Sequence, residues 1–165
     1  MKNLPEPARA LQVLIERSIP LARHIGLVIC HWDGRVLAAR APLAPNINDK
    51  GCAFGGSLAS SMTLAAWSLV TLLADAEGLD CDIFVARSQV AYLAPMWTDF
   101  EARAECLDAA DVPAFLDTLR RRGKAGIKVA CRVRECGGER DCATLEARFV
   151  AKRRDGAPPP PAAGT

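Results

Sequence analysis

Residues 57–77 carry a single charge, Asp75, before the last residue of the run. Leu58, Met62, Leu64, Ala65, Ala66, Leu69, Val70, Leu72 and Leu73 fall on every side of a helical wheel rather than on one stripe. A helix that is apolar all round has to be enclosed, by protein or by lipid. Ser57, Ser60, Ser61, Thr63, Ser68 and Thr71 interrupt the run too often for a membrane span. The stretch therefore predicts a central helix wrapped by the rest of the chain. Turn-rich sequence from Asn46 leads into it through Gly55-Gly56, and Gly78 is placed to end it as the residue after the C-cap.

The wrapper has to come from the flanks. Residues 4–18 predict a helix with Leu11, Leu14 and Ile15 on one face, interrupted by Pro20, and residues 21–26 lead to the first strand. Asp33-Gly34 between alternating runs predicts a two-residue hairpin turn joining that strand to residues 35–43. After the helix, residues 82–93 predict a strand with Phe84, Ala86, Ser88, Val90 and Tyr92 on one face and Val85, Arg87 and Gln89 on the other. Residues 100–106 alternate cleanly, as a sheet with one wet face does. Asp111 is placed to cap a short helix that Gly123 stops. Residues 127–133 and 143–149 alternate again around a turn at Gly137-Gly138. Amphipathic strands need a cover and the apolar helix needs a wrapper, so each supplies the other. The fold class is α+β, a curved antiparallel sheet around one long helix with a further N-terminal helix. Edge strands left by such a half-barrel favour a second copy, which predicts a homodimer or a dimer of dimers. Residues 1–152 make one domain, and residues 153–165, charged and then proline-rich, predict a disordered tail.

A net charge of +2 and few aromatic residues argue against nucleic acid as a partner. The seven cysteines fall singly, with no CxxC and no signal-peptide pattern, which predicts free thiols in a reduced, cytoplasmic setting. With His24 and His31 as the two histidines, no metal site is expected.

Asn48-Asp49-Lys50-Gly51-Cys52-Ala53-Phe54-Gly55-Gly56-Ser57-Leu58, then Trp67, then Ser88–Pro95 (SQVAYLAP) and Asp99-Phe100 carry a resemblance. Over residues 11–152 the chain resembles the hot-dog fold superfamily, and within it the thioesterases related to the YiiD C-terminal domain. The resemblance implies hydrolysis or binding of an acyl thioester, with coenzyme A or acyl carrier protein as part of the substrate and no further cofactor. In hot-dog thioesterases of the phenylacetyl-CoA type, a His-Gly-Gly precedes the helix and a carboxylate follows nine residues later. Here Phe54 stands at the histidine position and Thr63 at the carboxylate position, so neither supplies a carboxylate base.

The residues themselves suggest three requirements of thioester chemistry. Gly55 and Gly56 at a helix N-terminus offer unpaired N–H groups to a carbonyl oxygen, or alternatively allow tight helix–sheet packing. Asn48 and Asp49 are candidates to hold the attacking water, although an Asx turn is the commoner use of such residues. Ser60, Ser61 and Thr63 can also hold a water or bond their own helix. Substrate contacts are expected from Phe54, Ser57, Ser60 and Tyr92, with Met62, Trp67 and Tyr92 setting the depth for an acyl chain. Arg87, Ser88 and Gln89 join them by what the resemblance implies, a strand at a dimer interface near the partner's helix mouth; which face of that strand looks into the site stays open, and Arg87 can bind a phosphate or carboxylate or point to solvent. Cys52 lacks a visible activator. Arg120, Arg121, Arg122 and Lys124 with Lys152, Arg153 and Arg154 can grip phosphates or serve as solvated cations. Two readings stay open: a thioesterase, and a non-catalytic acyl-thioester binding or regulatory module. A dehydratase on the same fold is disfavoured because both histidines lie outside the helix motif.

Overall fold

The long apolar run forms helix α3 (Gly55–Asp75), and its burial is what the rest of the chain accomplishes. The computed structural model describes residues 4–154. Before α3 come α1 (Glu6–Ser18), α2 (Pro20–Ile25), β1 (Val28–Trp32), β2 (Val36–Ala41) and a 3-10 turn at Ala44–Asn46. After it come β3 (Cys81–Tyr92), β4 (Phe100–Cys106), α4 (Asp111–Arg122), β5 (Lys124–Glu135) and β6 (Asp141–Arg153). The six strands form one antiparallel sheet in the order β1-β2-β4-β5-β6-β3, curved around α3, which packs against β2 through β6. The α+β arrangement expected from the sequence is therefore the one formed.

Leu58, Met62, Leu69, Val70 and Leu72 of α3 are 0–4% exposed and face Phe100, Ile127, Val133, Leu145 and Phe149 across one core. Each such side chain contributes about 1.5–3 kcal/mol on burial. Met62 is among the fully buried ones, so it belongs to the core and does not line a substrate slot. The helix ends as the glycine predicts. Gly78 has φ +66°, Leu79 N–H donates to Ala74 O (3.1 Å) and Gly78 N–H to Asp75 O (3.0 Å), the paired bonds of a Schellman motif.

Several local expectations are corrected. Leu14 is 51% exposed, and the inward face of α1 carries Ala8, Leu11, Gln12 and Ile15 instead. Gln12 earns its buried place by hydrogen bonding: its Nε2 donates to Leu27 O (3.0 Å) and its Oε1 accepts from Ile29 N–H (2.8 Å). Residues 20–25, expected as a connector, form α2, which Gly26 ends at φ +73°. The β1–β2 turn is wider than two residues, because Trp32 pairs with Leu37 and the Asp33 carboxylate accepts from the N–H groups of Arg35 and Val36. Asp111 lies inside the first turn of α4, and Asp108 supplies the side-chain bond there, accepting from Ala110 N–H. Strands β5 and β6 extend beyond the alternating cores, and β6 runs through Arg153, into the stretch expected as tail. Residues 155–165 of that tail lie outside the described residues.

The largest correction is in β3. Its register against β6 shifts between Val85 and Arg87, a bulge at Ala86. Val85 pairs with Phe149, which is buried, whereas Arg87 pairs with the exposed Arg148. Ile83, Val85, Ser88, Val90 and Tyr92 thus share the face toward α3, while Phe84, Arg87 and Gln89 point to the outer face of the sheet. Phe84 and Val85 exchange the sides that simple alternation assigns them, because an extra residue reverses the pleat.

Candidate functional site

The approach to α3 is a miniature hairpin. Asn46 anchors it from a buried position, donating through Nδ2 to Ile25 O (2.9 Å) and Pro42 O (2.7 Å) and accepting Phe54 N–H at its backbone oxygen (2.7 Å). Ile47 bridges Ala53, Asn48 N–H donates to Cys52 O (2.8 Å), and Gly51 turns the tip at φ +83°. Ala53 N–H donates to Met96 O (2.8 Å), tying this hairpin to the segment after β3.

At Phe54 (φ −66°, ψ 131°) the chain is still extended, and one residue later it is helical. Phe54 O accepts from Ser57 N–H (2.9 Å) and Leu58 N–H (3.1 Å), and no side chain caps the helix. The amides of Gly55 and Gly56 have no acceptor among the described residues. They are the orphan donors of a helix start, at the positive end of its dipole. A Cβ on Gly56 would lie 2.3 Å from Phe54 Cε1, and one on Gly55 would lie 3.2 Å from Tyr92 Cε1. The two glycines therefore leave room for two rings, and the Tyr92 hydroxyl donates to Gly55 O (3.1 Å). Phe54 and Tyr92 at this mouth, and Ile47 on the hairpin before it, are each 56% exposed and give it apolar surface.

A groove leads away from the mouth. The half-buried residues of α3, among them Gly56, Ser60, Thr63, Leu64, Trp67 and Thr71, recur at helical spacing along one side. Strand β3 is held to that side at both ends, by Tyr92 on Gly55 and by Trp67 Nε1–H donating to Ile83 O (3.0 Å). Between these points β3 is exposed, with Ser88 on the face toward α3. The far part of the groove, about 330 Å³, is lined by Ile19, Thr63, Leu64, Trp67, Ile83, Phe84, Val85 and Phe149. This lining is almost wholly apolar, which suits a hydrocarbon chain. Thr63 donates to Ala59 O (2.9 Å), so its oxygen remains available only as an acceptor.

The structure thus brings Phe54, Gly55, Gly56, Ser57, Ser60, Thr63, Ser88 and Tyr92 to one mouth and groove. It directs others elsewhere. Asn48 Oδ1 accepts from Lys50 N–H (2.8 Å) and its Nδ2 donates to Cys52 Sγ (3.2 Å), an Asx turn. Asp49 is exposed and bound to Lys50 Nζ (2.8 and 2.9 Å). Arg87 and Gln89 lie on the outer face. Cys52 is 7% exposed, with Asn48 against its sulfur. The late basic cluster is largely spent internally: Arg120 pairs with Glu77, Arg121 with Asp117, and Arg154 with Asp80 and Asp82. All seven cysteines are free thiols, and burial pushes Cys81 and Cys106 up to about 11. Among carboxyl groups, burial and the Asp80 charge raise Asp75, at the opposite end of α3 from the mouth. No group of three or more metal-ligating side chains occurs among the described residues. Asn46 was missed by sequence reasoning, since its proline-flanked position reads as a plain turn.

Residues 8–153 match the family described as "Putative thioesterase (yiiD_Cterm)". The chain belongs to this family. Solved structures agree with that membership. A Chlorobaculum tepidum TLS protein of unknown function shares 27% identity at a TM-score of 0.83, over 89% of this chain and 94% of that one. A Shewanella oneidensis protein described as a putative thioesterase shares 28% identity at a TM-score of 0.79, over 89% of this chain and 98% of that one. A Pseudomonas aeruginosa protein at 22% identity and a TM-score of 0.75, covering 92% of this chain and 99% of that one, shares the fold. This yiiD_Cterm family member has the hot-dog fold, and thioester hydrolysis is the general class of activity that family and neighbours support.

Proposed function

We propose that this yiiD_Cterm protein hydrolyses acyl thioesters, carried by coenzyme A or acyl carrier protein, at the mouth of α3. The observation that carries the reading is the pair of Gly55 and Gly56 amides, without acceptors among the described residues, at the start of a buried helix. A thioester oxygen seated there meets preorganised donors and the helix dipole where negative charge develops. The acyl chain follows the groove toward Trp67 and Ile83, and the thiol end leaves past Phe54 and Tyr92. Ser60 and Thr63, on the same side of the helix, hold the attacking water. Its oxygen adds to the carbonyl carbon, the C–S bond breaks, and the thiol leaves with the water's proton. A second copy of the chain, paired along β3, closes the groove. What supports this homodimer is that β3 is a twelve-residue edge strand with Phe84 57% and Val85 46% exposed. The single cysteines support a reduced, cytoplasmic setting.

One observation favours the alternative, a non-catalytic binding or regulatory module: Asp49, the nearest carboxylate in the motif, is turned to Lys50 and not to the mouth. Thiol release from a panel of acyl-CoAs of increasing chain length separates the two. Turnover supports the hydrolase. Saturable binding without thiol release replaces it with the module, and neither binding nor turnover refutes both.

A further inference from the structure

We infer that the outer face of the sheet carries a second site, one that takes the phosphate groups of a small phosphate ester or polyphosphate. Arg87 on β3 pairs with Arg148 on β6, and Arg148 pairs with Lys128 on β5. The bulge at Ala86 is what turns Arg87 to this face. Three cations therefore stand side by side on adjacent strands, within about 10 Å, given a strand spacing of about 4.8 Å. Like charges directly opposite one another destabilise a sheet, so such a row calls for a counter-charge. None of the three makes an ion pair or side-chain hydrogen bond among the described residues. Elsewhere on the sheet most arginines have a carboxylate partner: Arg40 has Glu101, Arg132 and Arg134 have Asp141, and Arg154 has Asp80 and Asp82, while Arg103, opposite Arg132, has none among the described residues.

The row borders a groove of about 250 Å³, shared with Gln89, Leu107 and Glu146. Within the groove three positive charges face the one carboxylate of Glu146, with Glu105 across Ala130 as the next on this face, and neither forms an ion pair with them among the described residues. On the far side Lys128 and Arg148 also border a hollow of about 290 Å³ against α4, where Asp111 is the carboxylate and Thr118 supplies a hydroxyl. The Arg148 guanidinium lies flat across β5, and a Cβ on Gly126 would be 2.7 Å from its Nη2. Gly126 has no need of a left-handed backbone, so its role is space: it is the notch that lets the guanidinium lie down. A planar fork beside a second arginine and a lysine matches a phosphate, whose charge of about −1.5 to −2 at neutral pH offsets the surplus.

The test is calorimetric titration of the full chain at low salt with inorganic phosphate, pyrophosphate and adenosine 3′,5′-bisphosphate. None carries an acyl group, so the result is independent of the thioester reading. Binding is expected, weakening as salt rises, with Arg148→Gln and Lys128→Gln each lowering affinity about tenfold or more. The unliganded variants should melt no lower than wild type, because a repulsion is relieved. Tighter binding of the bisphosphate than of pyrophosphate assigns the site to a nucleotide, and equal binding assigns it to a free polyphosphate. No binding of any of the three overturns the inference. So does an affinity that Arg148→Gln and Lys128→Gln leave unchanged, or one that Arg23→Gln, a cation on α2 and not on the sheet, lowers just as much.

Discussion

If the Gly55 amide polarises the thioester, removing that one N–H must abolish most of the rate while leaving the helix whole. Proline does this at Gly55 and at few other places. Gly55 is the first residue of α3, where the N–H has no helical acceptor and proline is tolerated. The preceding residue, Phe54, already has ψ 131°, within the range that a following proline demands. The contact made by Cβ is shared with alanine: a Cβ at this position lies 3.2–3.5 Å from the Tyr92 ring and hydroxyl, which must shift by a few tenths of an ångström. Gly55→Ala is therefore the control, since it adds the same Cβ and keeps the donor. Loss of one oxyanion donor costs about 10²–10³ in kcat, or about 2.7–4 kcal/mol. Gly55→Pro should fall below Gly55→Ala by that ratio in thiol release from an acyl-CoA. Its thermal midpoint should equal or exceed the alanine variant's, since proline restricts the unfolded chain by about 0.4–1 kcal/mol. A folded Gly55→Pro within tenfold of Gly55→Ala would refute the role of this amide.

Three further outcomes follow from the same structure. Gln12→Leu leaves Leu27 O and Ile29 N–H without their buried partner, and should lower stability by about 2–4 kcal/mol; an unchanged urea midpoint would show that the bonds are not made in solution. Ser61 and Ser68 are 0% and 1% exposed with unpartnered hydroxyls, so Ser61→Ala and Ser68→Ala should each stabilise by about 0.5–2 kcal/mol. Destabilisation on thermal melting would mean that those hydroxyls have an acceptor after all. Backbone N–H groups of Val36 and Arg35 hold the Asp33 carboxyl at about 2, below its ordinary value of about 3.9. A lowered carboxyl stabilises the fold above the ordinary value and ceases to do so as pH falls through the folded one. The stability difference between wild type and Asp33→Asn should therefore shrink from about pH 4 to pH 2, and a difference constant over that window in acid denaturation would contradict it.

What could be read in advance divides along physical lines. The burial of α3 was legible because its composition leaves no wet side, and β4 because Phe100, Ala102 and Ala104 alternate with Glu101, Arg103 and Glu105. Gly78 was legible because a positive φ after a long helix has few other residues to choose from. The bulge in β3 was not, since Ile83-Phe84-Val85-Ala86 is apolar on both faces and gives alternation nothing to count. The burial of Gln12 was not legible either, because it is offset by two backbone groups fifteen and seventeen positions away. At the candidate site, Gly55-Gly56 stands out as a glycine pair at the start of the apolar run, and Tyr92 enters through the resemblance over Ser88–Pro95. The direction of Asp49 could not, because it depends on which neighbour wins a short-range competition among Asn48, Lys50 and Cys52.

Strand β3 joins these observations. An edge strand is free to bulge, because one side of its ladder has no partner to keep in step. The bulge at Ala86 resets the pleat so that the polar residues following it divide, Ser88 toward the helix and Arg87 and Gln89 away from it. Without the extra residue, Arg87 would enter the apolar groove beside Leu64 and Phe149, where an unpaired guanidinium is costly to desolvate. Tyr92 and Trp67 fasten the strand to α3 at its two ends and leave the middle apart. That combination keeps the groove open toward the free edge while presenting three cations on the reverse side. One irregular residue thus separates an apolar groove from a cationic surface across the thickness of a single strand.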